Sequence, residues 1–165
     1  MSALGSVAIS LWLLATPAPA TDVAASWDRL KSLVGTWQRA EASTPASKAF
    51  RIRYQLISAD TALVEEFGDP AKQPTQTVFH LDRERLLATH YCAQGNQPRL
   101  RLRAGPPSDV LVFDFLDATN LRSAVNSHLV RLTFRWRDPD HLVREEVYAQ
   151  DGREEVGTLL LERVR

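Results

Sequence analysis

The strongest constraint on this chain is a change of hydrophobic period at Leu33-Val34-Gly35-Thr36-Trp37. Upstream, Trp27, Leu30 and Leu33 or Val34 recur at helical spacing behind Ser26, a residue suited to cap a helix. Gly35 stops that run, and from Thr36 the apolar residues recur at every second position. The alternation is plainest in Leu129–Arg137: Val130, Leu132, Phe134 and Trp136 share one face, and Arg131, Thr133, Arg135 and Arg137 share the other. Leu100 and Leu102 against Arg99, Arg101 and Arg103 repeat it. A sheet with one dry and one wet face follows, its arginines solvated on the outside.

The alternation places strands over 36–42, 48–57, 61–67, 75–82, 86–92, 98–104, 109–116, 129–137, 141–149 and 154–164. Short turn signals such as Gly68-Asp69-Pro70, Gly95-Asn96, Asp138-Pro139-Asp140 and Asp151-Gly152 join them as hairpins. The one long break is 117–127, where Thr119 can cap a short helix running through Val125. The expected fold is all-β, an antiparallel up-and-down β-barrel of about ten strands, because closure removes the exposed edges an open sheet would keep. It carries a short N-terminal helix and one short helix between late strands.

Composition narrows function mainly by exclusion. The 165 residues suffice for one domain. Lys+Arg 20 against Asp+Glu 20 leaves none of the basic excess that nucleic-acid binding requires. Met1–Ala20 has no charged side chain, an apolar run from Val7 to Ala15, and small residues at Ala18 and Ala20. It reads as a secretory signal cleaved after Ala20, too short in its apolar part to span a bilayer. The expected domain is therefore the barrel over 21–165, secreted or periplasmic, with no integral membrane span. Its oligomeric state is left open. Cys92 is the single cysteine, so no intramolecular disulfide can form.

A helix followed by Gly35-Thr36-Trp37 at the opening of the first strand resembles the signature of the calycins, meaning lipocalins, fatty-acid-binding proteins and nitrobindin-like barrels. In lipocalins a basic residue of the last strand packs over that tryptophan, which the resemblance carries onto Arg163 or Arg165 as a cation–π partner. Gly35, Trp37 and Arg163 would thus be structural. The run His90-Tyr91-Cys92-Ala93-Gln94-Gly95-Asn96-Gln97-Pro98-Arg99 is similar to that of lipocalin-like bacterial proteins of about this length. Nitrobindin-like haem barrels carry glycine and proline after the tryptophan and a late histidine on the iron. Here Gln38-Arg39-Ala40-Glu41 follows, and the nearest histidines are His128 and His141. No haem or other cofactor is expected.

Candidate site residues come from strand parity. With Phe79 and Leu81 inward, a two-residue turn at Arg83-Glu84 brings Leu86, Ala88, His90 and Cys92 inward too. The same parity puts His128 in phase with Val130–Trp136, and Val143 with Val147 brings Glu145 inward. Trp37, Phe79, Phe113, Phe134 and Trp136 would form walls, and Asn96 and Gln97 would lie in a turn at the barrel mouth. His90, His128 and Glu145 would be polar groups in an apolar cavity. His90 either meets a ligand or fills the barrel while bonded to its neighbours. The four histidines show no zinc spacing, and no G-x-S-x-G elbow is present, so no metal or serine nucleophile is expected.

The expected function is binding of a small, largely apolar molecule in the interior. One alternative is a calycin-type isomerase or cyclase with His90 as base and Glu145 or Tyr91 as acid partner. Another is an envelope module that binds a protein through its outer face.

Overall fold

In the computed structural model the described residues are 22–105, 109–123 and 126–165. The expected leader, 1–20, and the end of the expected late helix, Ala124 and Val125, lie outside them. The chain runs α1 (Val23–Lys31), β1 (Gly35–Arg39), α2 (Pro45–Ala49), β2 (Arg51–Ile57), β3 (Ala62–Gly68), β4 (Thr75–Asp82), β5 (Arg85–Tyr91), β6 (Gln97–Leu102), β7 (Val110–Thr119), β8 (His128–Asp138), β9 (His141–Gln150) and β10 (Arg153–Arg163). The ten strands form a closed barrel in which each pairs antiparallel with its neighbours in sequence and β1 pairs with both β10 and β2. No helix among the described residues is long and apolar enough to cross a membrane.

Two helical expectations need correction. Asp22, not Ser26, caps α1, accepting from the Ala25 amide at 2.9 Å. The second helix lies between β1 and β2, not between late strands, and Thr119 is the last residue of β7. α2 is built by Pro45 in its first turn and by a capping box in which Thr44 and Ser47 each accept from the other's amide, at 3.1 and 2.9 Å.

α1 lies over the end of the barrel that carries the β6–β7 and β8–β9 turns. Trp27, Leu30 and Leu33 enter the common core, whereas Val34 stays 42 % exposed. Arg29 sits 4.5 Å over the Trp136 ring. Trp37, fully buried at the seam, donates its indole N–H to the Leu33 carbonyl at 2.8 Å. Arg163 stacks over it at 4.3 Å, donates to the carbonyls of Val34 and Ser32 at 2.8 Å each, and reaches Asp140 at 3.2 Å. Gly35, at φ +125°, is where only glycine fits well: a Cβ there would meet the Arg163 guanidinium at 3.1 Å. The helix end, the first strand and the last strand are thereby fastened through one arginine.

Phe79, Phe113, Phe134, Trp136 and Tyr54 pack edge-on or tilted, with ring centroids 5.5–6.5 Å apart, and fill the middle of the barrel. These aromatics were expected to be walls; they pack on one another instead. The outward arginines are solvated or paired: Arg103 and Arg131 share Asp114, at 2.6 and 3.1 Å, and Arg99 pairs with Asp117.

Candidate functional site

The polar residues gather in the half of the barrel that α1 leaves uncovered. The β4–β5 hairpin has the expected register: Asp82 faces Arg85 across the two-residue turn, Phe79 faces Ala88, and Thr77 faces His90. The row continues, since Glu65 of β3 faces Thr77 and Tyr54 of β2 faces Glu65. Tyr54, Glu65, Thr77 and His90 thus run side by side across four strands, each at most 2 % exposed. Facing strands share sides of a sheet, so one inward residue fixes its cross-strand partners.

Across the lumen, β9 completes the layer. Arg144 faces Phe134 on one side and Leu159 on the other, which turns it inward with Leu142, while Glu145 faces Thr133 and Thr158. The inward row of β9 is therefore Leu142, Arg144, Glu146 and Tyr148, and the expectation for Glu145 is one residue out of phase. Arg144 donates to both carboxylate oxygens of Glu65, through Nε at 3.0 Å and Nη2 at 2.8 Å. Tyr54 donates to Glu65 Oε2 at 2.6 Å, and Glu146 Oε1 lies 2.9 Å from Arg144 Nη1. The guanidinium also stacks 4.6 Å over Phe67. Burial works against the Arg144 charge, but Glu146 and Glu65 outweigh it and hold the group above the ordinary arginine value. Burial, then the Glu65 charge, keeps Tyr54 protonated well above the usual tyrosine range.

His90 stands beside this cluster with a neighbour on each ring nitrogen: Thr77 Oγ1 is 3.0 Å from Nδ1 and the Tyr148 hydroxyl 3.3 Å from Nε2. Thr77 is fully buried and this is the one hydrogen-bonding contact of its hydroxyl among the described residues; with the ring in the Nε2–H tautomer, that hydroxyl donates to Nδ1. Nε2–H then donates to Tyr148, and the Tyr148 O–H is left to donate into the open half. Burial, then Glu146, raises the Tyr148 pKa, so this donor stays protonated. Burial pushes His90 down, and Glu146 and Glu65 oppose this without overcoming it.

A pH dependence follows. The unfolded chain binds a proton at His90 more readily than the native one, so stability rises with pH across that interval. It is full above the unfolded value of roughly 6.5 and falls as the pH drops below it toward the folded pKa. Urea unfolding from about pH 7.5 to about pH 5 is expected to show this decline, and His90→Gln to flatten it. The depressed carboxyls of Asp114, Asp117 and Asp138 act in a lower window, below roughly pH 4. An unchanged slope in His90→Gln would count against a neutral, buried His90.

The remaining candidates divide. Cys92 is half-buried in the turn after β5. Asn96 is 3 % exposed; its Nδ2 donates to the Ser127 carbonyl at 2.9 Å, while its Oδ1 is buried with no partner among the described residues. Gln97 accepts from Thr119 and Asn120 at 2.8 and 2.9 Å, knitting the β5–β6 turn to the end of β7. His128 is buried but out of phase: the register shifts between Leu129 and Arg131, and Leu129 joins Leu132, Phe134 and Trp136 in the core. Its Nδ1 lies 2.8 Å from the Asn126 carbonyl oxygen and its ring against Phe115. Tyr91 is 49 % exposed, and His141 is an exposed partner of Asp138. Clefts of about 530 and 420 Å³ indent this end, one bordered by Asn96, Asn120 and Arg122, the other by Ser127, Tyr148 and Glu154.

The sequence reading missed Tyr54, Glu65, Thr77, Arg144, Glu146 and Tyr148. The signal was present for two of them: Glu65 shares parity with Leu63 and Phe67, and Arg144 with Leu142. No protein-family model matches the chain, and neither does any of the curated proteins compared with it. Fold and site define a closed ten-stranded antiparallel barrel, capped by a helix at one end and lined by a buried polar layer toward the other, an architecture consistent with the calycin type.

Proposed function

We propose that this is an exported, lipocalin-like barrel that holds a small, largely apolar molecule by its polar end in the uncovered half. One observation carries the reading: polar groups are concentrated in a single buried layer, and the hydroxyl of Tyr148 and the carboxylate of Glu146 lie on its accessible side. A barrel needing only stability would gain little from such a layer, since a buried ion pair rarely outperforms well-packed apolar side chains. Arg144 gives Nε and Nη2 to Glu65 and holds the Glu146 charge beside Nη1, which makes no hydrogen bond among the described residues. His90 is engaged at both ring nitrogens, so the Tyr148 hydroxyl is the group left to orient a ligand.

The test is native mass spectrometry of the chain from Thr21 onward, purified from the export compartment of its own host. A discrete added mass that disappears on denaturation is expected, and Tyr148→Phe should lower its occupancy about tenfold, the worth of one buried hydrogen bond. A bare mass from that compartment would count against carriage.

A second reading rests on the 3.3 Å contact between His90 and Tyr148, two titratable groups within hydrogen-bonding reach. In the tautomer that leaves Nε2 unprotonated, His90 would be the base and Tyr148 the acid, in place of Glu145 or Tyr91. Turnover lost in both His90→Gln and Tyr148→Phe, with binding retained, would favour it over carriage.

A further inference from the structure

At the end of the barrel opposite α1, the end of β1 meets α2 in a cleft of about 370 Å³. Three cations, Arg39, Lys48 and Arg51, and one carboxylate, Glu162, border it. The carboxylate accepts from Gln38 Nε2 at 2.8 Å. Among the described residues, none of the three cations has an acid within ion-pairing distance. That sets them apart from Arg99, Arg103, Arg131 and Arg163, each of which holds an aspartate. Glu41, in the connection between β1 and α2, is exposed and does not border the cleft.

Two of the cations are also held in place. The Arg39 guanidinium stacks 4.9 Å over Phe50, whose ring in turn packs edge-on against Phe67 at 4.9 Å. Arg51 Nη1 donates to the carbonyls of Lys48 and Phe50 at 2.6 and 2.7 Å, which fixes its fork at the end of α2. Among the described residues, Arg39 Nε is buried with no acceptor. A guanidinium that is stacked, oriented and short of an acceptor loses little further freedom when an anion arrives. The cations reach the cleft from β1, α2 and β2, an arrangement that suits the several oxygens of a tetrahedral anion better than a planar carboxylate.

We propose that this cleft binds a phosphate group, carried either by a small soluble molecule or by a phospholipid head. It lies at the rim of the barrel, where Arg39, on the inward side of β1 opposite Leu161, is joined through the Phe50 and Phe67 rings to Arg144 of the polar layer.

Two probes distinguish the sources: calorimetric titration with sodium phosphate at low ionic strength, and co-sedimentation with phosphatidylglycerol vesicles, phosphatidylcholine vesicles serving as the uncharged control. Saturable heat with free phosphate assigns a soluble anion; retention on the anionic vesicles alone assigns a head group. In whichever arm binds, Arg39→Gln should weaken binding about tenfold or more, the scale of one charge-assisted contact. Arg39→Lys, which keeps the charge and loses the planar stack, should fall between. Arg135→Gln, on the exposed outer face of β8, should change nothing. Thermal unfolding checks that each variant is folded, and Lys48→Gln, at an exposed position of α2, replaces Arg39→Gln if that variant is not. No binding in either arm overturns the proposal. So does an equal loss in Arg39→Gln and Arg135→Gln, which would reduce the effect to general surface charge.

Discussion

Replacing Arg144 by methionine is expected to lower the unfolding free energy by about 3–5 kcal/mol, the range for removing one member of a buried ion pair. The loss comes less from missing attraction than from what is left behind. Glu65 is fully buried, and without Arg144 it keeps one partner among the described residues, the Tyr54 hydroxyl at 2.6 Å. Glu146, beside it, then adds repulsion where it had supplied a counter-charge. Glu65→Gln in the Arg144→Met background should recover about 1 kcal/mol or more, because an amide accepts from Tyr54 without a charge to desolvate. Urea denaturation of the four proteins closes the cycle. A drop below about 1 kcal/mol in Arg144→Met would mean that water reaches the cluster and the layer is not a buried one.

That cluster also marks where reading the sequence succeeded and where it could not. Strand count and the β4–β5 register were legible because period-two alternation and a two-residue turn are local signals, and both are intact around Thr77, Phe79, Ala88 and His90. The fastening of β10 to Trp37 was reached through resemblance, with Arg163 and Arg165 both open; the stacking falls to Arg163. Arg144 shares the parity of Leu142, but its charge masks that signal. A charged residue in a strand is read as outward unless its counter-ion is known, and Glu65 lies 79 positions earlier. His128 was misphased because a bulge adds one residue to β8 near Val130 without any glycine or proline to announce it. α2 did leave a trace, Thr44-Pro45 with Ser47, which is a cap followed by proline at the first helical position. It was passed over in favour of Thr119, where the chain stays extended to the end of β7.

Trp37→Ala should cost about 3–5 kcal/mol, the scale of deleting a large buried aromatic. It removes three things together: packing at the seam, the bond to the Leu33 carbonyl, and the surface on which Arg163 stacks. Trp37→Phe separates them, since it keeps most of the packing but abandons the carbonyl and weakens the stack; about 1–2 kcal/mol is expected. If the fastening is cooperative, Arg163→Met should cost less in Trp37→Phe than in the parent, because part of its partner is already gone. Strict additivity in that cycle would mean that Arg163 acts only through the carbonyls of Ser32 and Val34. The same variants test the division of labour along the barrel axis. Trp37 lies with α1 and the aromatic core, whereas His90 and Tyr148 lie in the uncovered half. A folded Trp37→Phe protein should therefore keep its cargo while losing stability, and Tyr148→Phe should do the reverse. Cargo lost in both would show that the helix-capped end shapes the ligand site as well as closing the barrel.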